Sequence, residues 1–419
     1  MRLFRKTLVT ALTAALLLGG CGGSDAGKTE APKAAVDPKT APWPEIAAAA
    51  KGSTVRFYMW GGSDTINKWV DGYVARRMSE LYGVKVQRVP MDAADFINKL
   101  VTEKQAGQQQ GAMDMLWING ENFKTAKNGG LLWGPFAGKL PNMQKYVDVA
   151  SPDVTTDFGF PTEGFEAPWG KAQFVMVYDS AKVPNPPGSF AALAEWAKQN
   201  PGKFTYPAPP DFTGSAFTRM ALYETTGGYQ QYLARYDGAL LTKNWGKTWD
   251  LLGGMAPHLW MKGETYPENL AKLHKLYADG EVWFTMSYDP AEASNNVLKG
   301  IWPKTTRTYL FDAGTIGNTH FTAIPFNAPN PGGAMLLADF LLSPEAQLAK
   351  LDPNQWGDFV AIDPARLSEA DRQKLAAIER GPATLAPADL AARRVPEIAP
   401  EYVVKLEAGW REQVARRKP

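Results

Sequence analysis

Polar side chains and glycines follow two short apolar segments of the chain that are rich in β-prone residues. The segments are Val55–Trp60 and Met113–Ile118. The residues at their carboxyl ends are Trp60, Gly61, Gly62 and Ser63 for the first, and Asn119, Gly120, Glu121 and Asn122 for the second. Glycine lets a ligand approach the backbone closely, and hydroxyl, amide and carboxylate groups form hydrogen bonds. The pattern therefore indicates a site that holds a small molecule.

A second set of candidate residues lies further along the chain. Its members are Trp169, Gln173, Thr213, Gly214, Ser215, Ser287 and Tyr288. A helix is predicted from Ala216, with Thr213 or Ser215 as its N-cap, and the free N–H groups of its first turn would suit an anionic or carbonyl oxygen. Tyr288 ends a predicted strand, where its ring can stack on a ligand or its hydroxyl can form a hydrogen bond. Trp169 is predicted to form a wall of the same site.

Several of these candidates also have a structural interpretation, which the sequence leaves open. The structural interpretations are a tight turn for Gly61 and Gly62, a helix N-cap for Ser63, a solvent-facing charge for Glu121, helix capping for Thr213–Ser215, core packing for Tyr288 and hinge packing for Trp169. The position of each residue in the fold decides between the two interpretations.

Motifs of the common enzyme classes are missing from the sequence. No G-x-S-x-G motif of a hydrolase occurs, and Leu241 stands where a phosphate-binding loop ending at residues 246–248 would need glycine. His258, His274 and His320 lack the spacing of metal ligands. We therefore predict no catalytic residue, no metal and no cofactor. Carboxylates distant in sequence can still meet in space, which keeps an exported hydrolase as an alternative.

The composition of the 419 residues is that of a globular protein, with 45% hydrophobic and 21% charged residues. One hydrophobic core stops growing at about 250–300 residues, so two domains or lobes are expected. The formal net charge of +2 argues against nucleic acid as a partner. The 14 tryptophans and 15 tyrosines suit sugars, heteroaromatic rings and organic cations. They favour a small polar organic solute, and Glu121 or Asp64 would balance the charge of a cationic one.

The N-terminus has the layout of an export signal that ends in a lipid-attachment cysteine. Three basic residues and no acid precede an apolar run over Leu8–Leu18, which is too short to span a bilayer. Residues 18–21 (Leu-Gly-Gly-Cys) resemble a bacterial lipobox, and Cys21 is the single cysteine. We predict a signal peptide over residues 1–20 and a lipidated Cys21 with a disordered tether over residues 21–51. An ordinary signal peptide with a chance cysteine is the alternative.

Predicted strands alternate with predicted helices along the rest of the chain. The predicted strands are Val55–Trp60, Val84–Val89, Met113–Ile118, Gln173–Tyr178, Glu281–Tyr288 and Thr305–Phe311. Helices are predicted between them, among them an apolar stripe from Ile66 to Leu81 and the segments Phe190–Gln199 and Ala291–Leu298. This alternation predicts α/β units with parallel, doubly wound sheets, in which ligands bind at the carboxyl ends of strands.

The last part of the chain is predicted to return to the first α/β unit. Thr305–Phe311 is the expected returning strand, residues 314–319 are an expected turn, and Ala334–Lys350 is an expected helix with a break near Pro344. A helical tail from about Pro364 is expected to pack on the first unit.

Several phrases of the sequence resemble those of extracellular solute-binding proteins of bacterial ABC importers, which have the type II periplasmic fold. The phrases include Trp60–Ser63, Trp117–Phe123, Thr205–Ser215 and Phe340–Gln347. The resemblance covers residues 55–350 and is to a branch that is compared with thiamine-binding proteins. It implies a two-lobed α/β protein in which each lobe is a mostly parallel sheet flanked by helices, with the ligand cleft between the lobes.

The resemblance also implies how the body is divided and what it does. Lobe 1 is expected over residues 52–168 and 310–419, and lobe 2 over residues 169–309. The expected function is capture of a small polar solute and its delivery to the permease and ATPase of an importer. The protein is expected to be a monomer at the periplasm or cell surface, with no nucleic-acid partner and with membrane contact through its lipid anchor only. A binding module that signals to a membrane partner is the alternative.

Overall fold

A computed structural model describes residues 36–233 and 235–416, which form two lobes with separate sheets and hydrophobic cores. We call the lobe that contains Val55 lobe 1 and the lobe that contains Phe284 lobe 2. The predicted signal peptide and Cys21 lie outside the described residues. The prediction of a disordered tether over residues 21–51 is wrong for its last part, because residues 43–50 form a helix whose Ile46 and Ala50 are buried in the core of lobe 1. Within the described ranges, no helix is long and apolar enough to cross a membrane.

The first part of the chain forms most of lobe 1. Its helices and strands are α1 (Trp43–Ala50), β1 (Thr54–Met59), α2 (Asp64–Lys68), α3 (Ala75–Tyr82), β2 (Lys85–Pro90), α4 (Ala93–Gln105), β3 (Met115–Ile118), α5 (Gly120–Asn128), β4 (Leu132–Trp133), α6 (Pro141–Tyr146), α7 (Pro152–Thr155), β5 (Thr156–Asp157), β6 (Phe160–Pro161) and β7 (Glu166–Gln173). A π-helical turn, Trp69–Val74, joins α2 to α3.

The middle part forms most of lobe 2, and the last part contacts both lobes. The middle elements are β8 (Val175–Asp179), α8 (Phe190–Gln199), α9 (Phe212–Thr225), α10 (Gly238–Asn244), α11 (Gly246–Met255), α12 (Leu270–Ala278), β9 (Phe284–Ser287), α13 (Glu292–Leu298) and β10 (Thr306–Tyr309). The last elements are β11 (Thr315–Pro325), α14 (Pro331–Leu341), α15 (Pro344–Leu351), α16 (Glu369–Ala377), α17 (Pro387–Ala392), β12 (Arg394–Val395) and α18 (Pro400–Trp410).

The apolar stripe predicted after the first strand forms a helix around the π-helical turn and faces the core. Its buried side chains are Ile66, Trp69, Val70, Val74 and Met78. Ser63 caps the helix by accepting a hydrogen bond from the N–H of Ile66 at 3.4 Å, and Gly83, at φ +63°, ends it. Because α2 follows β1 so closely, Trp60–Ser63 are held at the carboxyl end of that strand.

The sheet of lobe 1 is mixed. β1 pairs in parallel with β2 and β3, with Phe57 opposite both Arg88 and Met115. β11 then pairs antiparallel with β3 and with β7, with Phe321 opposite Ile118. The long strands β7 and β11 therefore place their lobe-2 ends, Gln173 and Thr315, at the edge of the sheet where β1 and β3 end.

The sheet of lobe 2 corrects the prediction that each lobe is mostly parallel. Its strands lie in the order β10-β8-β9, and both pairs are antiparallel, with Val175 opposite Ser287 and Thr306 opposite Asp179. A parallel sheet would need a strand between α8 and α9, but residues 203–210 contain three prolines and form none. Thr305–Phe311 therefore stays in lobe 2 as β10, and residues 315–319, predicted as a turn, begin β11.

Residues 383–416, the last that the structure describes, are called the C-terminal tail below. Leu367 and Leu375 pack on the core of lobe 1, as predicted. The apolar side chains of the tail, in contrast, belong to the core of lobe 2; these include Leu390, Tyr402, Leu406 and Trp410. The tail thus differs from the prediction that it packs on the first lobe, because the buried face of α18 fills lobe 2 beside α9.

Beneath β7, lobe 1 encloses a group of aromatic rings and a buried ionic group. Trp169 lies 5.0 Å from Trp117 and 5.2 Å from Trp356, measured between ring centroids. Next to these rings, Lys350 Nζ donates to Asp358 Oδ2 at 2.6 Å, and His320 Nε2 lies 3.3 Å from Asp358 Oδ1. Both carboxylate oxygens of Asp358 therefore have partners, which offsets the cost of burying the charge.

Gly170 on β7 leaves the space that this ionic group occupies. A Cβ at this position would lie 2.1 Å from Asp358 Oδ2 and 2.6 Å from Lys350 Nζ. Gly170→Ala is therefore expected to lower the free energy of unfolding by about 1–3 kcal/mol, measured by urea denaturation. Gly138→Ala, where an added Cβ meets no atom within 4 Å, is the matched control and is expected to change it by less than about 0.5 kcal/mol. Equal stability of the two variants would contradict the prediction.

Candidate functional site

The loop between β3 and α5 is held rigidly at the sheet edge. Trp117 Nε1 donates to Asn119 Oδ1 at 3.2 Å, and Asn119 Nδ2 donates to the carbonyl oxygen of Thr319 on β11 at 2.6 Å. Gly120 has φ +60°, and its N–H donates to the buried carboxylate of Asp157 at 2.5 Å. These contacts fix the first turn of α5, and Glu121 with it.

Glu121 is partly buried and faces charged residues of lobe 2 and the C-terminal tail. Asn122 Nδ2 donates to Glu121 Oε1 at 3.0 Å. Burial raises the pKa of Glu121 to about 7; the negative charges of Glu407 and Glu397 add to the rise, and Arg219 opposes it. Glu121 is therefore a carboxylate in a crowded acidic environment and not the solvent-facing charge of the alternative interpretation.

The N-terminus of α9 is capped differently from the prediction. Asp211, rather than Thr213 or Ser215, is the N-cap: its Oδ1 accepts hydrogen bonds from the N–H groups of Thr213 and Gly214, both at 2.9 Å. A Cβ on Gly214 would lie 2.0 Å from the carbonyl oxygen of Pro207, so this glycine serves close packing. The prediction of free N–H groups for a ligand oxygen is wrong here, because the Asp211 carboxylate already occupies them.

A buried arginine further along α9 joins the tail to the end of β9. Arg219 Nε and Nη2 donate to the carboxylate of Glu397 at 2.9 and 3.1 Å, and both side chains are almost fully buried. The hydroxyl of Tyr288 donates to Glu397 at 3.0 Å, and Arg219 Nη1 donates to Ser215 Oγ at 2.8 Å. Ser215 in turn donates to Glu407 at 2.7 Å. We call these five residues the Arg219 network.

A hairpin of lobe 1 reaches this network. β5 and β6 are joined by Phe158 and Gly159, both at positive φ, as in the tight turn of a two-residue hairpin. The ring of Phe158 lies 6.2 Å from that of Phe212 and 5.5 Å from the guanidinium carbon of Arg219. Phe212 also contacts Tyr288 at 4.9 Å and remains 42% exposed. Aromatic rings of both lobes therefore meet beside the Arg219 network.

The loop Trp60–Ser63 lies at another point where the lobes meet. Lys299 Nζ, at the end of α13 in lobe 2, donates to Thr65 Oγ1 in the first turn of α2 at 2.5 Å. The ring of Trp60 lies against Gly62, where a Cβ would be 2.2 Å from it, and is 37% exposed. Ser63 is the N-cap that its structural interpretation described. The contact of this region with lobe 2 is therefore made by Thr65, while Trp60 presents a partly exposed ring on the preceding loop.

Three of the predicted residues lie in the interior. Trp169 is 1% exposed and packs on the other tryptophans of lobe 1. Gln173 Nε2 donates to Thr315 Oγ1 and to the carbonyl oxygen of Leu390, and Ser287 Oγ accepts from the N–H of Asp289. All three therefore make structural contacts, and their contact with a ligand stays a prediction.

The structure also brings residues to the site that the sequence did not single out. These are Asp157, Phe158, Arg219, Glu397 and Glu407. An arginine among the small and apolar residues of α9 is a signal that sequence reasoning could have used. The acids of the tail carry no such signal, because only the fold brings them next to α9.

In the sheet of lobe 1, where Glu166 lies opposite Ala323 on β11, one buried carboxyl group has no partner. Neither carboxylate oxygen of Glu166, which is 2% exposed, has a hydrogen-bond partner. Burial raises its pKa well above the ordinary value, and the negative charge of Asp157 raises it further. Asp157 is affected in the same way by burial, and then by Glu121 and Glu397. Among the described residues, no group of three or more histidine, cysteine, aspartate or glutamate side chains is arranged to hold a metal ion.

Two facing lobes joined by long crossing strands are the architecture of type II periplasmic binding proteins. AfuA from Actinobacillus pleuropneumoniae, solved with fructose 6-phosphate bound, aligns with a TM-score of 0.61 and 14% identity over 87% of this chain and 99% of AfuA. A periplasmic thiamin binding protein aligns with a TM-score of 0.58 and 16% identity, over 87% of this chain and 96% of that protein. The spermidine/putrescine-binding protein PotD from Streptococcus pneumoniae aligns with a TM-score of 0.57 and 15% identity, over 86% of this chain and 99% of PotD.

Sequence comparison gives the family. Protein YnjB of Escherichia coli (strain K12) is 38% identical over 370 residues, which cover 88% of this chain and 90% of YnjB. The family described as bacterial extracellular solute-binding protein matches residues 73–377. The chain therefore belongs to the bacterial extracellular solute-binding protein family, and the predicted resemblance and two-lobed α/β fold are confirmed. The family is one of exported transport proteins, and its structural neighbours are binding proteins of ABC importers rather than enzymes.

The pairing of Arg219 with Glu397 predicts a large effect on stability. Arg219→Met leaves the carboxylate of Glu397 buried without its main partner, so the free energy of unfolding in urea is expected to fall by about 3–5 kcal/mol. The matched control is Lys198→Met, which removes an exposed ion pair with Glu195 and is expected to cost less than about 1 kcal/mol. Adding Glu397→Gln to Arg219→Met is expected to recover part of the loss. A single variant as stable as the control would contradict the assignment.

Proposed function

We propose that this protein is the substrate-binding component of an ABC importer, which captures a small polar organic solute between its lobes and delivers it to a membrane permease. One observation carries the proposal: a partly buried glutamate of lobe 1 and a hydrogen-bonded polar network of lobe 2 face each other beside aromatic rings from both lobes. Convergent polar groups with apolar walls are typical of small-molecule sites.

The proposed mechanism is closure of the lobes on the solute. A ligand that touches Glu121 and Asn122 on one side and Phe212 and Tyr288 on the other makes both sets of contacts only in the closed form. It therefore stabilises that form by its differential affinity. The strands β7 and β11, which connect the lobes, are the elements about which such a motion would occur.

The geometry at α9 bears on the solute class. AfuA binds fructose 6-phosphate, and helix N-termini are common phosphate sites. In this chain, however, Asp211 blocks the first turn of α9 and would repel an anion there. This favours solutes without a phosphate group.

The proposal is tested by identifying a bound solute and following closure. Native mass spectrometry of the purified protein is expected to show a retained small molecule, or a metabolite library is expected to raise the melting temperature with one chemical class. Small-angle scattering should then show a smaller radius of gyration with that compound. Tyr288→Phe removes the hydroxyl that donates to Glu397 and so loosens the position of the ring that the solute would contact; binding is expected to weaken by about 5- to 10-fold. The exposed Glu195→Gln is the control and should leave binding unchanged.

A folded protein that neither retains nor binds any metabolite would overturn the proposed function. Binding that is not followed by uptake in cells carrying the cognate permease would favour the alternative, a binding module that signals to a membrane partner. Turnover of the bound compound would favour an exported hydrolase.

We further propose that the protein is a lipoprotein held at the membrane through Cys21. The lipobox-like residues 18–21 and the single cysteine support this. Expressed in a bacterial host, the wild type is expected to partition into the detergent phase of Triton X-114 and to show the added mass of a diacylglyceryl group. Cys21→Ala should remain in the aqueous phase. Equal partitioning of both proteins, with no added mass on the wild type, would overturn the lipid anchor while leaving export itself intact.

A further inference from the structure

We propose that the membrane permease docks on a groove beside the end of α13, and that Arg380 in this groove binds a carboxylate of the permease. The proposal rests on the proposed function, since it names the surface through which the protein would engage the permease. None of the residues that line the groove belongs to the Arg219 network, so the docking surface and the solute site use separate sets of side chains.

The groove has a volume of about 590 Å³ and takes its walls from three parts of the chain. Leu298, at the end of α13, belongs to lobe 2. Pro353 and Asn354 follow α15 of lobe 1, and Glu379–Pro382 lie between α16 and the C-terminal tail. Each lobe therefore supplies one wall, and the segment that leads from lobe 1 to the tail supplies the third. We call this feature the Arg380 groove.

Arg380 is a cation in this groove without a partner for its charge. Its Nη1 atom is buried and has no hydrogen-bond partner among the described residues. Its guanidinium carbon lies 5.2 Å from the centre of the Phe359 ring, a contact that holds the charged group in place. Burial lowers the pKa of Arg380, and no carboxylate opposes that change, although Glu379 lines the same groove. A guanidinium forms its strongest hydrogen bonds with carboxylates, so the groove suits an acidic side chain.

Two exposed aliphatic side chains lie on the turn that follows α13. Leu298 and Ile301 are both 55% exposed, and Gly300, at φ +70°, turns the chain between them. A second cavity, of about 300 Å³, is lined by Ile301 and Trp302. An arginine together with apolar side chains is typical of the surfaces by which proteins bind one another. A small carboxylate would neutralise Arg380 but leave Leu298 and Ile301 in water, which favours a protein partner.

The walls of the Arg380 groove are held together by contacts between the lobes. Asn295 Nδ2 on α13 donates to the carbonyl oxygen of Trp356 in lobe 1 at 2.5 Å, and Lys299 at the end of α13 donates to Thr65. If the lobes moved apart, these contacts would break and the walls would separate. A partner seated in the groove touches both lobes, and it is therefore expected to bind more tightly while they are in contact.

The occupant that fits this chemistry is a segment of the permease in which an acidic residue stands next to apolar ones. Its carboxylate would accept hydrogen bonds from Arg380, and its apolar side chains would cover Leu298 and Ile301. The chain belongs to a family of exported transport proteins, and its structural neighbours are binding proteins of ABC importers. The permease of such an importer is thus the expected partner.

The first experiment measures binding to the purified cognate permease–ATPase complex in lipid nanodiscs by biolayer interferometry. Arg380→Glu places like charges together at the interface and is expected to weaken binding at least tenfold. Arg380→Lys keeps the charge but loses the planar group, so its effect should be smaller. The control is Lys247→Glu, which makes a matched change of charge at an exposed position of α11 and should leave binding unchanged.

Photocrosslinking tests the same surface with Arg380 intact. p-Benzoylphenylalanine is introduced in place of Leu298 or Asn354, and in place of Lys247 as the control. Irradiation of cells that express the importer is expected to join positions 298 and 354 to a permease subunit, identified by mass spectrometry, and position 247 to none. Melting temperatures show whether each variant folds. Native mass spectra of Arg380→Glu should show the same retained small molecules as the wild type, because the solute site is unchanged.

The remaining outcomes count against the proposal. Equal binding of the wild type and Arg380→Glu to the permease overturns the role of Arg380. Absence of crosslinks from both position 298 and position 354 overturns the docking surface. Either result leaves the proposed function standing where the wild type binds the permease, whereas a wild type that does not bind it counts against the proposed function as well. If glutarate, without the permease, raises the melting temperature of the wild type but not of Arg380→Glu, the groove is a small-molecule site instead.

Discussion

The buried ion pair between Arg219 and Glu397 is the interaction on which the rest of the structure depends. Both side chains are removed from water, so the pair is stable only because its hydrogen bonds are satisfied by Tyr288, Ser215 and Asn318 as well as by each other. These partners come from α9, the end of β9, the strand β11 and the tail. One electrostatic requirement therefore fixes four chain segments at the place where the lobes meet.

This arrangement gives the C-terminal tail a double role. Its apolar face completes the core of lobe 2 through Tyr402, Leu406 and Trp410, while its acids lie in the candidate site. α18 also contacts α5 of lobe 1 through the Lys124–Glu401 pair, which is partly exposed and so contributes little free energy. Arg394 adds a second pair with lobe 1, to Asp153 on α7 at 2.9 Å, so the tail is fixed to both lobes.

The sequence predicted what depends on local pattern and missed what depends on distant contacts. The strands and helices of lobe 1, and the ends of β1 and β3 as positions of candidate residues, follow from alternation, apolar stripes and glycines. The antiparallel sheet of lobe 2 was missed because strand direction depends on which segments meet, and residues 203–210 lack a strand. The N-cap of α9 was missed because Asp211, Thr213 and Ser215 are all capping residues, and only the backbone geometry shows which one caps. The tail acids could not be predicted, since nothing near Glu397 in sequence points to Arg219.

Two buried groups of ionisable side chains among the described residues meet the cost of burial in different ways. In lobe 1, Asp358 has Lys350 and His320 as partners, and Gly170 makes room for them, so the group is complete within the chain. In the sheet of lobe 1, Glu166 lies opposite Ala323 on β11 and has no partner for either oxygen. Burial raises its pKa well above the ordinary value and so favours the protonated, neutral side chain. One group therefore offsets the cost of burial with an ion pair and the other with a proton, and only the ion pair requires the fold to bring a basic side chain from elsewhere in the chain.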